Sequence, residues 1–122
     1  MRLRDGDYES EGRVEVYLND AWHTVCDDSW DIEDAVVICR QLGYEAAIQA
    51  PLRAHFGQGI GLTVGLTEVN CDGSEEGLSD CTFVDQDIFC DHTEDASAVC
   101  GGKYDKFEVK VIVQFYTTSV FL

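Results

Sequence analysis

Three carboxylates, Asp27, Asp28 and Glu94, are the side chains of this chain best suited to binding chemistry. Carboxylate oxygens are hard ligands: calcium takes about six to eight oxygens and magnesium about six, with water completing the shell. Asp27 and Asp28 are adjacent, so on a regular strand they would point to opposite faces, and Glu94 is remote in sequence. The two aspartates can share an ion only if the chain turns beyond Cys26, which residues 29–31 permit. The other interpretation is a solvated acidic rim.

The cysteines are the second group of residues with chemistry to offer. There are six, spread over the middle and end of the chain: Cys26, Cys39, Cys71, Cys81, Cys90 and Cys100. None belongs to a C-x-x-C pair, which argues against zinc-ribbon, iron–sulfur and thioredoxin-like sites. Six cysteines in so short a chain favour three disulfides and an oxidising compartment. Spacing alone leaves about fifteen pairings open, and six buried free thiols in a cytosolic protein are the alternative.

The charge of the chain limits its partners. At pH 7 the formal net charge is −16, from 24 acidic and 8 basic residues, which makes attraction to DNA, RNA, heparin or anionic lipid unfavourable. A ligand should therefore be cationic or be reached through a bound metal, and no nucleic acid is expected as a partner. No apolar run is long enough to cross a bilayer, so this segment is not expected to insert into a membrane. The 122 residues fit one domain plus a tail.

Several elements must position these groups. Alternating apolar and polar residues at 13–18 and 22–25, joined by a two-residue turn, predict a half-buried hairpin. The glycine-rich residues 54–61 predict an ordered loop, because they lack the lysine of a phosphate-binding loop. A strand is expected over residues 62–69 and a short closing strand over residues 98–100.

The clearest helix is predicted to begin after Asp31, which can cap it, with Asp34 three residues further on. Apolar residues at helical spacing then predict its core face: Ile32, Ala35, Val36, Cys39 and Leu42. Gly43 suits the C-terminal stop of this helix. A short helical turn capped by Ser74 is also expected before Cys81.

Six motifs carry a resemblance to a known family. In the first half of the chain they are E-G-R-V-E-V at 11–16, W-H-T-V-C-D-D-S-W-D at 22–31 and A-V-V-I-C-R-Q-L-G-Y at 35–44. In the second half they are A-H-F-G-Q-G at 54–59, L-S-D-C at 78–81 and H-T-E-D-A at 92–96, continuing to Cys100. With these motifs the chain resembles the scavenger receptor cysteine-rich family over about residues 2–101.

The resemblance implies a fold and a disulfide framework. The eight-cysteine group of that family would have further cysteines near Ser10 and at Tyr44, so this chain resembles the six-cysteine group. The implied fold is α+β, a small disulfide-rich domain in which a curved antiparallel sheet cradles one main helix plus a short helix. The implied pairings are Cys26–Cys90, Cys39–Cys100 and Cys71–Cys81. The first of these bridges would bring Glu94 alongside Asp27 and Asp28.

The resemblance also implies an extracellular function, for a secreted protein or a receptor ectodomain of the scavenger, pattern-recognition or protein-interaction kind. Asp27, Asp28 and Glu94 match an acidic cluster that binds a divalent cation and supports ligand recognition. Protein ligands, or anionic microbial and host ligands, would be held through calcium or magnesium. A second cation site of some relatives falls on Glu68 and Asn70, and it is expected to be weak because threonine replaces an acid at position 67.

The end of the chain extends beyond the resemblance. Domains of this family usually stop near the position of Cys100, so residues 1–101 are predicted to form the domain and residues 102–122 an extension. Residues 107–115 alternate as a strand would, and residues 111–116 combine high β-propensity with no charge and no proline. The extension is predicted to be an edge strand or an assembly segment. A structural or adhesive role, with a homo-oligomer formed through this strand, is therefore the alternative function.

An enzyme, of hydrolase type, is the remaining alternative, and we predict that the chain is not one. Such an enzyme would use paired carboxylates, or His92 to activate Cys90. Carboxylates are so abundant here that pairing is uninformative, and a disulfide-bonded cysteine is not a nucleophile. His23, His55 and His92 are instead interpreted as hydrogen-bonding residues of loops and sheet.

Overall fold

The computed structural model of the chain describes residues 1–103, and the predicted strand at residues 107–115 lies outside them. The described part contains seven strands, one α-helix and two 3₁₀ turns. The strands are β1 Arg2–Asp5, β2 Glu11–Leu18, β3 Ala21–Val25, β4 Tyr44–Gln49, β5 Thr63–Asn70, β6 Thr82–Val84 and β7 Ser97–Lys103. The helix α1 spans Ile32–Gln41, and the 3₁₀ turns span Leu78–Asp80 and His92–Glu94.

The strands form one sheet in the order β4-β7-β2-β3-β5-β6, with β1 paired to β2. The expected small α+β domain is confirmed, with one difference: β3 and β5 run parallel, whereas the other paired strands are antiparallel. The predicted hairpin is β2 and β3, in which Glu15 lies opposite Thr24. Its turn residues Asn19 and Asp20 have φ of 50° and 64°, the left-handed conformation that tight hairpin turns require.

Helix α1 begins as its capping signal predicts. The Asp31 carboxylate accepts a hydrogen bond from the Asp34 amide at 3.2 Å, and the Asp34 carboxylate accepts one from the Asp31 amide at 2.7 Å. The two side chains thereby satisfy two amides at the open helix end. Gly43 follows the helix with a φ of 95°, which a residue with a Cβ adopts only under strain.

The predicted core face of α1 is partly wrong. Ala35 and Cys39 are fully buried, but so are Val37 and Ile38. Three residues of the predicted face are less covered: Ile32 is 38% exposed, and Val36 and Leu42 are half-buried. Four consecutive apolar residues, 35–38, leave the helix rotation open to sequence reasoning. In the observed rotation the polar Asp34 is buried, and its carboxylate accepts a hydrogen bond from the Cys71 amide at 2.7 Å.

The predicted turn before Cys81 is present, but Ser74 does not cap it. The residue preceding the 3₁₀ turn is Gly77, which makes no side-chain cap. The Ser74 hydroxyl instead donates to the Asp72 carboxylate at 2.5 Å. The Ser74 hydroxyl and the Asp72 carboxylate therefore stabilise a local turn, a hydrogen bond that serine commonly forms instead of capping a helix.

The three disulfides have the pairings that the resemblance implies: Cys26–Cys90, Cys39–Cys100 and Cys71–Cys81. The first two link the two halves of the domain, and the third closes a local loop with a sequence separation of 10. Cys39 and Cys100 are buried, at 0% and 3% exposure, and link α1 to β7 inside the core. Of the helices in residues 1–103, none has both the length and the apolar character needed to span a membrane.

Candidate functional site

The candidate site forms where residues 25–27, at the end of β3, pair with residues 94–96, just before β7. The Ala96 amide donates to the Val25 carbonyl at 2.7 Å, and the Asp27 amide donates to the Glu94 carbonyl at 2.8 Å. Glu94 is therefore brought beside Asp27 by backbone hydrogen bonds as well as by the nearby Cys26–Cys90 disulfide.

The chain turns immediately after Asp27, as a shared ion would require. The Trp30 amide donates to the Asp27 carbonyl at 3.0 Å, which closes a turn over Asp28 and Ser29. Ser29 adopts a φ of 69°, in the sparsely populated left-handed region. The two aspartates therefore do not lie on opposite faces of a regular strand, and their carboxylates can converge.

The three predicted carboxylates do converge. One carboxylate oxygen each from Asp27, Asp28 and Glu94, together with the Cys26 sulfur, all lie within 4.8 Å of one another. We call Asp27, Asp28 and Glu94 the acidic triad. Asp28 is exposed and the other two are half-buried. The triad lines an open cavity of about 610 Å³, whose other lining residues are Ser29, Leu52, Arg53 and Thr93.

The negative charges of the acidic triad are not neutralised by the described part of the protein. No lysine, arginine or histidine of residues 1–103 forms an ion pair with any of the three carboxylates. Desolvation, and then repulsion from Asp28, Asp27 and Asp91, raises the pKa of Glu94. A divalent cation would relieve this repulsion, and three convergent carboxylates are the hard donor set that calcium or magnesium prefers. The residues present therefore fit such an ion.

Asp27 has a second role, which is to hold the loop that borders the cavity. One of its carboxylate oxygens, Oδ2, accepts a hydrogen bond from the Arg53 amide at 2.7 Å. Arg53 and the next residue, Ala54, have φ of 57° and 53°, unusual values for residues with a Cβ. The Asp27 carboxylate thus fixes the position at which the loop leaves the site.

Buried polar groups hold the rest of this glycine-rich loop. The fully buried Asp95 carboxylate accepts a hydrogen bond from the Gly59 amide at 2.8 Å. The Arg13 guanidinium, on β2, donates to the Gly57 carbonyl at 3.1 Å. A Cβ at Gly59 would lie 2.5 Å from the Thr24 methyl carbon, so only glycine fits this close approach. The expected ordered loop is thus held by side chains of β2 and of the segment before β7.

Sequence reasoning identified the loop but missed Arg13 and Asp95 as the residues that hold it. Both are buried, at 5% and 0% exposure. For Arg13 the sequence did contain a signal, because Arg13 and Glu15 are opposite charges within a predicted strand that is otherwise rich in valine. In the structure their side chains form a buried ion pair at 2.9 Å. No comparable signal marks Asp95, because acids surround it in the sequence.

His92 is a hydrogen-bonding residue, as predicted. Its Nδ1 lies 3.1 Å from each oxygen of the Asp95 carboxylate, and its Nε2 lies 2.7 Å from the Leu62 carbonyl oxygen. Burial alone would lower the pKa of His92, but these two acceptors outweigh it and raise the pKa overall. The hypothesis that His92 activates Cys90 is wrong, because Cys90 is bonded to Cys26 and has no thiol.

The two residues of the predicted weak second cation site do not line the cavity of the acidic triad. Glu68 and Asn70 are both exposed and line a separate cavity of about 540 Å³. Within residues 1–103, the groups of three or more convergent metal-ligating side chains do not include Glu68. Thr67 is buried at 6% exposure, so the residue that replaces the usual acid is turned into the protein. The weak second cation site at Glu68 and Asn70 therefore stays a prediction.

Comparison with known proteins identifies relatives of the chain. The family model described as scavenger receptor cysteine-rich domain, abbreviated SRCR, matches residues 4–101. Lysyl oxidase homolog 2 from Pongo abelii and from Homo sapiens are each 47% identical to the chain over 100 residues, or 82% of this chain. The chain spans only 13% of the length of these two relatives.

Two solved structures share the fold. The third SRCR domain of murine neurotrypsin matches with a TM-score of 0.71 at 48% identity, over 81% of this chain and 92% of that chain. The SRCR domain of mouse MARCO, crystallised in a dimeric form, matches with a TM-score of 0.69 at 39% identity, over 83% of this chain and 94% of that chain. Both comparisons cover nearly the whole of the matched domain.

Proposed function

This chain belongs to the scavenger receptor cysteine-rich family, and from that premise we propose that it recognises ligands through a divalent cation held by the acidic triad. At the coarser level, the family's domains are extracellular, non-catalytic modules for protein interaction. The finer proposal is that calcium, or magnesium, occupies the cluster of Asp27, Asp28 and Glu94. Protein ligands or anionic microbial and host molecules then bind at the cation.

The observation that supports this proposal is the convergence on one open cavity of three carboxylates that have no ion-pair partner within residues 1–103. Asp27 and Asp28 come from the turn after β3, and Glu94 comes from the 3₁₀ turn before β7. Holding like charges together costs free energy unless an opposite charge compensates. A bound cation reverses the sign of the local charge and offers coordination positions to an incoming ligand. In a chain with a net charge of −16, an anionic ligand would otherwise be repelled, so a bound cation gives it a local site of favourable charge.

Calcium is expected to raise the melting temperature of the protein. With three protein carboxylates the dissociation constant should be on the order of 0.1–1 mM, as in other extracellular modules. At tenfold excess over that constant, binding stabilises the fold by about 1.4 kcal/mol, which corresponds to a rise of roughly 5 °C in melting temperature for a domain of this size. Differential scanning calorimetry with calcium and with chelator measures the rise directly.

The informative variants for this test are Asp28→Ala and Glu94→Gln, which are expected to abolish the calcium-induced rise. Asp27 is less suitable, because its carboxylate also holds the Arg53 amide. Glu76→Ala removes an exposed acid outside the triad and serves as the matched control. Because the pKa of Glu94 is raised, protons should compete with calcium, and the affinity should fall as the pH is lowered toward that pKa. An equal rise in wild type and both triad variants would contradict the proposal.

The alternative function, assembly through the extension, rests on where β7 ends. Its last described pair joins Tyr44 of β4 to Lys103, and β4 is a terminal strand in the order of the sheet. Residues 104–122 lie outside the described part, and we propose that they add a strand to a sheet edge, in the same chain or in a second copy.

Truncation after Lys103 tests this alternative while keeping β7 intact. It is expected to lower the melting temperature if the extension pairs within its own chain, or to convert a dimer to a monomer if it pairs with a second copy. Sedimentation equilibrium and calorimetry distinguish the two cases. Unchanged stability and unchanged mass, together with fast amide exchange over residues 107–115, would contradict both.

A further inference from the structure

Tyr8 lies in the connection between β1 and β2 and is 72% exposed. Among the tyrosines of residues 1–103 it is the most exposed. The connection spans residues 6–10 and forms a turn, closed by a hydrogen bond from the Glu11 amide to the Tyr8 carbonyl at 3.1 Å. A tyrosine in a surface turn is accessible to an enzyme that modifies its phenol hydroxyl.

The residues next to Tyr8 in the sequence carry only negative charge. Asp7 and Glu9 adjoin it, Asp5 and Glu11 lie three residues away on either side, and residues 5–11 include no basic residue. Asp5, Asp7 and Glu9 are exposed in the structure. The side chain of Asp5 forms an ion pair but is still 62% exposed. An enzyme that approaches the Tyr8 hydroxyl therefore also meets a local field of negative charge.

The other tyrosines of the chain do not combine these features. Tyr44 is buried, at 8% exposure. Tyr17 is exposed, but it lies within β2 and its ring packs edge-on against a neighbouring tryptophan, with 5.1 Å between ring centroids. Two further tyrosines lie outside the described residues: Tyr104 follows a lysine directly, and Tyr116 has no acidic residue within five positions. Exposure in a turn and acidic neighbours on both sides thus distinguish Tyr8.

We propose that Tyr8 is a tyrosine sulfation site, recognised by a sulfotransferase whose basic peptide-binding groove complements the acidic residues around it. Opposite charges on enzyme and substrate steer such an encounter and fix its register. In the transfer, the phenol oxygen of Tyr8 attacks the sulfur of a nucleoside phosphosulfate donor, and a new oxygen–sulfur bond forms. The bond from sulfur to the phosphate oxygen breaks, the nucleoside phosphate leaves, and the phenol proton passes to a base of the transferase.

The site is separate from the acidic triad, because Tyr8 does not line the triad cavity. The inference therefore goes beyond the proposed function and does not depend on a bound cation. Domains of this family are extracellular, and their disulfides form in the oxidising compartments through which secreted proteins pass. A transferase on that route meets a folded chain, so the exposure of each tyrosine in the fold decides which one it reaches. Sulfation replaces a neutral phenol with a charged ester, which makes the turn more attractive to a basic partner.

The first test is the intact mass of the full chain secreted from mammalian cells. Wild type should contain a species heavier by one SO₃ group, which resists phosphatase and disappears when chlorate blocks synthesis of the phosphosulfate donor. Tyr8→Phe should lack this species, and the matched control Tyr17→Phe should keep it. Both variants alter exposed tyrosines, and the melting temperature of Tyr8→Phe should equal that of wild type, which shows that the folded domain is intact.

A second test measures recognition of the acidic residues. Purified tyrosylprotein sulfotransferase and labelled donor are incubated with the folded chain, and the initial rate of labelling is recorded. Asp7→Asn keeps the shape of the side chain but removes its charge, and it should lower the rate about tenfold, as expected for the loss of one charged hydrogen bond. Asp20→Asn, at an exposed turn position three residues after Tyr17, is the matched control and should change the rate less than about twofold.

Each other outcome overturns part or all of the inference. A heavier species that persists in Tyr8→Phe would place the modification at another residue. Removal of the added mass by phosphatase would identify a phosphate in place of a sulfate. Equal rates for Asp7→Asn and Asp20→Asn would show that only the overall charge of the chain matters and that the residues beside Tyr8 do not guide the enzyme. If neither test labels the wild-type chain, Tyr8 is not a sulfation site, and the proposed cation-dependent function is unaffected by that result.

Discussion

Replacing both Cys39 and Cys100 with alanine is expected to lower the free energy of unfolding by about 4 kcal/mol. This disulfide closes a loop with a sequence separation of 61 residues, and in the chain-entropy model a cross-link that closes a long loop removes much of the freedom of the unfolded chain. Both cysteines are buried, so the variant also loses packing at the contact between α1 and β7. Urea denaturation of the purified variant measures the loss.

The disulfide Cys71–Cys81 provides the comparison, because it closes a loop with a sequence separation of only 10 residues. Its removal is expected to cost about 3 kcal/mol in the same model, and therefore less than removal of the long-range bridge. A larger cost for the short bridge than for the long one would show that loop closure does not govern the stability of this domain.

Asp34→Ala is expected to lower the free energy of unfolding by about 3 kcal/mol. The Asp34 side chain is fully buried and accepts hydrogen bonds from the Cys71 amide at 2.7 Å and the Asp31 amide at 2.7 Å. Alanine would leave both donors without this acceptor and would remove half of the capping box. Glu33→Ala, at an exposed position of the same helical turn, is the control and should change stability by less than about 0.5 kcal/mol.

The Asp34 carboxyl also makes the free energy of unfolding depend on pH, and its contribution to stability is expected to fall as the pH rises. Burial, opposed by hydrogen bonds from the Cys71 and Asp31 amides, raises the pKa of Asp34 from 3.8 to about 6. The folded state therefore holds this proton more tightly than the unfolded state, so the contribution of Asp34 to stability falls as the pH rises from about 4 to about 6.

Comparison with Asp34→Asn isolates this effect from other titrating groups. The raised pKa of Glu94 acts in the same direction, and the lowered pKa values of Asp72 and Asp91, which accept hydrogen bonds from Ser74 and Thr93, act in the opposite one. These groups are common to wild type and variant. The stability advantage of wild type over Asp34→Asn should therefore be larger at pH 4 than at pH 6.5, and a pH-independent difference would contradict the raised pKa.

Local sequence signals predicted the hairpin, the main helix and β5, but they did not predict β1, β4 or β6. The alternation of residues 13–18 and 22–25 predicted the hairpin of β2 and β3, and the Asp31 and Asp34 pair predicted the start of α1. Both signals involve residues close together in the sequence, and over such short distances backbone preference and side-chain period decide which secondary structure forms. The rotation of α1 was predicted less well, because residues 35–38 are all apolar. Long-range contacts, such as the hydrogen bond from the Cys71 amide to Asp34 and the Cys39–Cys100 disulfide, accompany the observed rotation.

The sequence by itself determined which residues of the site could bind a cation, and the tertiary structure decided that they meet. Asp27, Asp28 and Glu94 are recognisable as carboxylates at family positions, but the hydrogen bond from the Asp27 amide to the Glu94 carbonyl spans 67 residues of chain. Likewise, Arg53 is an ordinary surface arginine in the sequence. Only the folded chain places it on the rim of an acidic cavity, with its amide bound and its guanidinium free within the described residues. Such contacts depend on long-range pairing of strands and loops, which no local period or propensity encodes.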